Sequence, residues 1–236
     1  LVADPTREDS PAAALACDGF LITEPVANDP LVAMLSEEHI PFLSVGRDPE
    51  NAGYDSWLDT GTASMTRQVL QHLQDAGATR IALVTGTDRN SWNLDTESTY
   101  RDWAAQHGQE PLVVHQPETA GQVGGTAAFD ELFSAATTPD AVYCLTGRHA
   151  AGMLSALTGH DLRVPDDVQL VAGSDSEQTR SAVPAITAVD LGPELLARVA
   201  VTTLANRLDA VDRPIPNGDL CGRLITRGST RPMMPR

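Results

Sequence analysis

Short apolar runs alternate along this sequence with longer stretches in which apolar residues recur at helical spacing. Parallel strands are buried on both faces and need long connections, so they occur as continuous apolar runs separated by helices. The alternation therefore predicts an α/β fold built on doubly wound parallel sheets. Strands are expected at residues 20–23, 42–45, 81–85, 112–115, 141–145, 169–173, 186–189 and 220–226.

Three of the stretches between these runs carry a clear apolar stripe. They cover residues 61–76, 150–158 and 193–209, and the first two end at Gly77 and Gly159, a residue type that often terminates helices. The stripes consist of Met65, Val69, Leu73 and Ala76, then Met153, Leu154 and Leu157, and finally Leu196, Val199, Ala200, Leu204 and Leu208. Such stripes are expected to pack against the core.

The charge of the chain restricts its partners. Its formal net charge is −16 over 236 residues, and all 16 basic residues are arginines. Such a surface repels phosphate backbones, so this segment is not expected to bind nucleic acid itself. No apolar run approaches the roughly 20 residues that a membrane span needs. Cys17, Cys144 and Cys221 lie beside strand-like runs, which predicts buried reduced thiols.

The motifs of catalysis and metal binding are not found in the sequence. The six histidines are scattered without metal-ligand spacing, and there is no nucleophile elbow or phosphate-binding loop. The glycine-rich residues 121–125 open a helical stretch and are interpreted as a cap. We therefore expect no enzyme, no cofactor and no metal.

Three phrases follow one another in the last third of the chain. They are VPDDV at residues 164–168, PAITAV at residues 184–189 and LITRGST at residues 224–230. In this order they resemble the effector-binding domain of the LacI/GalR family of bacterial transcription regulators, whose domains end in the same Arg-x-Ser-Thr signature. Residues 18–22, 39–43, 59–61 and 77–84 resemble its strand entries, so the resemblance covers about residues 17 to 231.

The resemblance implies two lobes of the periplasmic binding protein-like type, joined by three crossings with a ligand cleft between them. The first lobe would comprise residues 1–58 and 190–217, and the second residues 59–189 and 218–236. No part of the sequence resembles the family's N-terminal helix-turn-helix. The strand-like Leu1–Ala3 lies too close to Asp18 for a full helical crossover, so the first strand and helix are expected to be missing. Truncation and a degenerate start both explain this, and we favour truncation.

The resemblance also implies the effector-sensing and dimerisation part of a transcription regulator, with repression as the expected activity. The expected partners are a small-molecule effector, operator DNA through the absent domain only, and a second copy of the chain, in the cytoplasm and without a membrane. The effector would be a sugar, a sugar phosphate or a nucleoside-like compound. The dimer contact would include Leu154, Leu157, Arg180 and Val183. Two alternatives remain: a solute-binding protein of a transporter with the same fold, and an α/β enzyme.

Ligands of open parallel sheets bind beyond the carboxyl ends of the strands. There we expect Asp175 to accept hydrogen bonds from ligand hydroxyls, although an aspartate in this place also suits a helix cap. Trp92, in a polar loop, could stack on a ring of the ligand or close the loop onto its own lobe. Asn90 lies two residues before it, and Thr23 follows the first predicted strand.

The sequence departs from the sugar-binding pattern of the family at three places. Thr96 stands where many members carry arginine, Thr146 begins a Thr-Gly pair in place of Asn-Asp, and Gly46 replaces an aspartate. Arg47 directly follows Gly46, and Arg148 lies two residues after Thr146. If these arginines face the ligand, they would favour an acidic or phosphorylated effector. Alternatively they are ordinary solvated arginines, or the protein has lost effector binding.

Overall fold

The computed structural model describes residues 17–51, 53–134, 138–209 and 220–232. In chain order its elements are β1 (Phe20–Thr23), α1 (Pro30–Glu37), β2 (Phe42–Val45), β3 (Trp57–Leu58), α2 (Thr62–Asp75), β4 (Ile81–Thr85), α3 (Ser91–Gln106), β5 (Leu112–His115), α4 (Gly121–Phe133), β6 (Ala141–Cys144), α5 (Gly147–Gly159), β7 (Gln169–Ala172), α6 (Glu177–Ser181), β8 (Thr187–Asp190), α7 (Pro193–Leu208) and β9 (Arg223–Ile225). The α/β prediction is confirmed. The two-residue β3 and the five-residue α6 were not predicted, because elements this short carry no periodicity.

The described chain divides into two compact units. The first lies within Leu1–Thr60, Arg89–Trp92 and Gly192–Leu220, and the second within Gly61–Asp88, Asn93–Leu191 and Cys221–Arg236. The predicted boundaries placed residues 89–92 in the second lobe. An antiparallel bridge between Val26 and Asn90, and the 2.8 Å bond from the Ala27 amide to the Arg89 carbonyl, join them to the first unit instead. The run Leu1–Ala3 lies outside the described residues.

The first unit is a parallel sheet of order β1-β2-β3 between two helices. Helix α1 begins at Pro30, behind Asp29, whose side chain accepts a 2.9 Å hydrogen bond from the Leu31 amide. Side chains from alternate strand positions pack on the two faces because successive residues of a strand point in opposite directions. The α1 face contains Phe20, Ile22, Val32, Leu35 and Phe42, and the α7 face contains Leu43, Leu58, Ala200, Leu204 and Leu220.

The second unit is a sheet of order β5-β4-β6-β7-β8-β9, parallel except for β9. Because β4 pairs with both β5 and β6, the strand order reverses beside β4, which is where ligands of such sheets bind. Helices α4 and α5 contribute Phe129, Leu132, Met153 and Leu157 to a buried cluster with alternate residues of the strands.

Glycines allow α4 and α5 to pack closely. A Cβ atom at Gly125 would lie 2.8 Å from the Met153 amide nitrogen, and one at Gly124 would lie 3.1 Å from Nε2 of His149. The glycine-rich residues 121–125 open helix α4, as predicted, and in addition permit a close helix contact. The predicted glycine at the end of α2 is confirmed, since Gly77 has a φ of 84°.

The Arg-Gly-Ser-Thr segment holds the second unit together through buried polar contacts. The Thr187 amide donates to Oγ of Ser229 at 2.8 Å, and that hydroxyl donates to the Leu170 carbonyl at 2.5 Å. The Thr230 hydroxyl lies 2.9 Å from both the Thr187 hydroxyl and Nε2 of His72. We call Arg227, Ser229 and Thr230 the C-terminal clamp, because together they tie β7, β8 and α2 to one segment.

The prediction of buried thiols is confirmed for Cys144 alone among the three cysteines, since Cys17 is half-buried and Cys221 is exposed. Burial raises the pKa of the Cys144 thiol. No described helix is long and apolar enough to cross a membrane.

Candidate functional site

The carboxylate of Asp175, just beyond the end of β7, lies at the centre of the polar groups of the second unit. Arg227 donates to its two oxygens at 2.8 Å each, in a bidentate pair. Arg180 donates at 2.9 Å, the Thr179 hydroxyl at 2.5 Å and the Ser176 amide at 3.0 Å. Burial alone would raise the pKa of Asp175, but these hydrogen bonds outweigh it and hold the pKa well below its usual range.

Five hydrogen bonds saturate this carboxylate, which offers about four lone-pair directions. Its side chain is 11% exposed and that of Arg227 is 16% exposed. This geometry fits the alternative interpretation of Asp175, in which its side chain fixes the turn into α6. It fits an acceptor open to a ligand less well. Its role toward a ligand stays a prediction.

Thr146 and Arg148 surround the start of α5, at the end of the adjacent strand β6. The Thr146 hydroxyl caps the helix by accepting a hydrogen bond from the His149 amide at 3.1 Å. Arg148 is exposed and donates to the Glu118 carbonyl at 3.3 Å. Burial lowers the pKa of His149, whose Nε2 lies 3.2 Å from the Pro117 carbonyl. Thr146, Arg148 and Asp175 thus lie on neighbouring strand ends.

The predicted polar loop between Thr85 and Thr96 is shorter than expected, because α3 already begins at Ser91. Thr96 lies on the inner face of that helix, fully buried, where it accepts a 3.4 Å hydrogen bond from Thr66. Its burial argues against the predicted ligand contact. Trp92, expected in a loop, is half-buried in the first helical turn, and Asn90 is buried in the bridge to Val26.

Two residues that were not among the predicted site residues organise the end of β4. Oδ1 of Asn93 accepts from the Gly86 amide at 3.3 Å, while its Nδ2 donates to the Asp88 carbonyl at 2.8 Å and to Glu118 at 2.5 Å. Burial, followed by the charge of Glu118, raises the pKa of Asp88. Asn93 lies in the polar run that the sequence shows after β4, whereas nothing local marked Glu118, which reaches Asn93 from the turn that follows β5.

In the first unit, Thr23 and Arg47 follow the adjacent strands β1 and β2. Thr23 is exposed, and Arg47 is half-buried with its amide donating to Oγ of Ser91 at 3.2 Å. Gly46 has a φ of 78°, which favours glycine, and Glu24 has a φ of 48°. A Cβ atom at Gly46 would lie 2.7 Å from Oε2 of Glu24.

The predicted dimer residues differ in how far they reach the surface. Leu157 is fully buried in the core under α5, whereas Leu154, at 6% exposure, lines one groove together with Val183, at 88% exposure. Arg180 pairs with Asp175 and is 59% exposed. A groove of about 540 Å³ lies between α5 and the α6 segment; it is lined by Gln122, Ala151, Leu154, Ser155, Thr158, Gly159, Gln178, Ser181, Ala182 and Val183.

Within the described ranges, no group of three or more His, Cys, Asp or Glu side chains is arranged to hold a metal ion.

Comparison with known proteins identifies relatives of this architecture. A sequence profile of the periplasmic binding protein-like domain matches residues 70–230. The HTH-type transcriptional regulator CelR of Thermobifida fusca is 30% identical over 197 residues, which cover 81% of this chain. This chain spans only 57% of the length of that regulator.

Solved structures show the same fold. A LacI family transcriptional regulator from Bifidobacterium animalis subsp. lactis superposes with a TM-score of 0.84 at 22% identity, covering 94% of this chain and 81% of the other. A complex of the transcriptional regulator CelR with cellobiose superposes with a TM-score of 0.80 at 28% identity, covering 90% of this chain and 65% of the other.

Proposed function

The chain belongs to the periplasmic binding protein-like family, as a member of the LacI/GalR regulators, and we propose that it senses a small-molecule effector for a transcriptional repressor. The match over residues 70–230 carries this proposal. The relatives named above are transcription regulators, which favours a sensor over a solute-binding protein or an enzyme.

The proposed effector is a neutral hydroxylated compound, a sugar in the first instance. The CelR neighbour is a complex with cellobiose, and this chain is 28% identical to it. Each unit carries hydroxyl, amide and carboxylate side chains near its strand ends, and groups of these types suit hydrogen bonding to such a compound. Sugar phosphates and nucleoside-like compounds are the competing ligand classes, and Arg47 and Arg148 are the residues that would favour an acidic one.

The mechanism rests on differential affinity. A ligand shifts a conformational balance only by binding one conformation more tightly than the other, and a shift from mostly bound to mostly released operator needs roughly a 10²–10⁴-fold difference. Two charge-assisted hydrogen bonds, at about 1.5–3 kcal/mol each, supply that difference. Operator DNA would be contacted by a domain outside this sequence, in agreement with the net charge of −16.

The proposal includes a cytoplasmic homodimer. Val183, which lines the groove beside α5, is 88% exposed, and a large apolar side chain this open suits a protein contact. Light scattering should give twice the chain mass of 25.0 kDa, and Val183→Arg should lower it to the monomer value. Val201→Arg, at a 56% exposed site on α7, is the control that should stay dimeric.

Effector binding is tested by thermal shift and calorimetry on the whole chain with sugars, sugar phosphates and nucleosides, cellobiose included. A true effector at about 100 times its Kd should stabilise the fold by about 2.7 kcal/mol, or roughly 5–10 °C in Tm. A panel in which no compound raises the Tm or releases binding heat contradicts the proposed function.

A further inference from the structure

The ring of His149 joins helix α5 to the turn that follows β5. His149 lies in the first turn of α5, and its side chain is fully buried. Its Nε2 lies 3.2 Å from the carbonyl of Pro117, which can only accept a hydrogen bond, so Nε2 carries the proton of the neutral ring. Nδ1 is then an acceptor; it is buried, and no group of the described chain donates to it. These surroundings therefore suit the neutral ring with its proton on Nε2.

A second proton on this ring is unfavourable in the structure. It would make Nδ1 a buried donor without an acceptor on a charged ring, and both changes oppose protonation. Burial therefore lowers the pKa of His149, although the bond to Pro117 and the charge of Glu118 raise it, and the charge of Arg148 lowers it further. Helix α4 meets the ring with Gly124, which carries no titratable group. The ring therefore takes up a proton readily only after its surroundings have opened.

The turn of residues 117–120 is the part of these surroundings that opens most easily. On the other side of the ring, the backbones of α4 and α5 are in direct contact, since a Cβ atom at Gly125 would lie 2.8 Å from the Met153 amide nitrogen. The turn itself is a single 3-10 turn over Glu118–Ala120, and Pro117 is exposed. A charged ring therefore gains contact with water by displacing the turn rather than helix α4.

The same turn holds the end of β4 through Glu118. Oε2 of Glu118 accepts from the Thr87 amide at 3.3 Å, and Oε1 accepts from Nδ2 of Asn93 at 2.5 Å. The Glu118 carbonyl accepts from Arg148 at 3.3 Å. The strand order reverses beside β4, at the edge where ligands of such sheets bind. A displacement of the turn would thus release the groups around that edge.

We propose that His149 is a pH-sensitive switch. As a neutral ring it fixes the turn of residues 117–120, and Glu118 with it, against the end of β4; as a charged ring it releases the turn. The released ring has the ordinary histidine pKa of about 6.5, whereas the buried ring resists protonation. The released state therefore binds more protons, and acid favours it by up to about tenfold per pH unit below about pH 6.5. Between pH 7.5 and pH 5.5 the released fraction should rise about tenfold. This property belongs to the chain itself and needs no effector.

Amide hydrogen exchange of the whole chain, read by NMR and divided by the intrinsic rate at each pH, measures the released fraction. The amides of Thr87 and Ala120 report on it, since both bind groups of the turn. Their protection should fall about tenfold from pH 7.5 to pH 5.5. At pH 7.5 both should exchange faster than the buried Leu170 amide, which binds the Ser229 carbonyl at 2.9 Å, because the opening is local.

Two variants separate this ring from another buried histidine. His149→Gln keeps a donor at the place of Nε2 but does not titrate, so the protection of Thr87 and Ala120 should change less than about twofold between the two pH values. His72→Gln, the matched control, should retain the tenfold loss, because burial also lowers the pKa of His72 but its ring lies away from the turn, against Thr230. A loss of the same size in His149→Gln, or equal protection of wild type at both pH values, would overturn the proposal.

A measurement on wild type covers the case in which His149→Gln does not fold. Nitrogen NMR of the imidazole rings at pH 7.5 should show His149 with its proton on Nε2, and its pKa should lie below the ordinary value of about 6.5. A proton on Nδ1, or a pKa at or above that value, contradicts the switch.

Discussion

The carboxylates of Asp175 and Glu24 both lie just beyond parallel strands, yet their surroundings are opposite. Asp175 is 11% exposed and is held by two arginines and two further donors of its own loop. Glu24 lies over a glycine, beside a serine hydroxyl, at a turn of its own backbone. Position at a strand end is therefore not sufficient to identify a ligand contact, because the neighbours of a carboxylate differ from one strand end to the next.

The same contrast extends to the units around them. Asp175 belongs to a continuous polar network, in which the C-terminal clamp binds Thr187, Leu170 and His72. Glu24 lies at the edge of a described sheet of only three strands. We infer that the C-terminal clamp stabilises the second unit, and the following substitutions test that inference.

Arg227→Ala should have the largest effect on stability. It removes both bidentate bonds and leaves a mostly buried carboxylate with less compensation, a change that typically costs about 3–5 kcal/mol. Urea denaturation followed by circular dichroism measures the loss. Arg223→Ala is the matched control, because Arg223 is 78% exposed and lies 3.9 Å from Asp190. Similar losses in the two variants would mean that the clamp does not stabilise the unit.

Ser229→Ala should cost about 2–4 kcal/mol. The change leaves the Thr187 amide and the Leu170 carbonyl without their partner in a fully buried place, and each unsatisfied group costs roughly 1–3 kcal/mol. Ser98→Ala on the exposed face of α3 should cost less than about 0.5 kcal/mol. A loss at position 229 no greater than at position 98 contradicts the role assigned to the Ser-Thr signature.

The buried histidines should make stability fall on mild acidification. Burial lowers the pKa of His72 and of His149, so the folded protein binds fewer protons than the unfolded chain, whose histidines titrate near pH 6.5. Stability should be complete above about pH 6.5 and decrease below it, by at most about 1.4 kcal/mol per pH unit for each histidine.

His72→Gln retains a partner for Thr230 without the titration, and its unfolding free energy should decline less between pH 7 and pH 5.5. His107→Gln at an exposed site serves as the control. An unchanged pH slope in His72→Gln would show that His72 is not protonated on unfolding in this range.

Arg180→Ala should have the smallest effect, below about 1 kcal/mol, because its side chain is 59% exposed and Arg227 still pairs with Asp175. The measurement is again urea denaturation. A loss as large as that of Arg227→Ala would mean that Asp175 depends on both arginines equally.

The sequence predicted the fold well because the apolar runs of strands and the apolar stripes of helices are local features of the sequence. Strands such as β4 and helices such as α2 lie within a residue or two of their predicted bounds. Helix α3 begins at Ser91, earlier than expected. The prediction missed this start because Ser91 and Trp92 lie in a polar run without helical periodicity. Its early start buries Thr96 and removes it from the surface.

The candidate site was less predictable because its contacts join residues distant in sequence. Asp175 was correctly located after β7, but its pairing with Arg227, 52 residues later, could not be read from either segment. Glu24 and Gly46 are adjacent only because β1 and β2 pair in parallel. Leu157 was predicted at the dimer interface because an apolar stripe marks the face of a helix that is buried. The stripe does not tell whether the chain's own core or a second copy of the chain covers that face.

The most direct test of this account measures two quantities on Asp175→Asn, the urea unfolding free energy and the affinity for a compound that raises the Tm of wild type. The account predicts that Asp175→Asn loses at least about 2 kcal/mol of stability, since the change weakens a mostly buried ion pair, while the folded variant still binds that compound. A variant that is as stable as wild type but no longer binds the compound would contradict it.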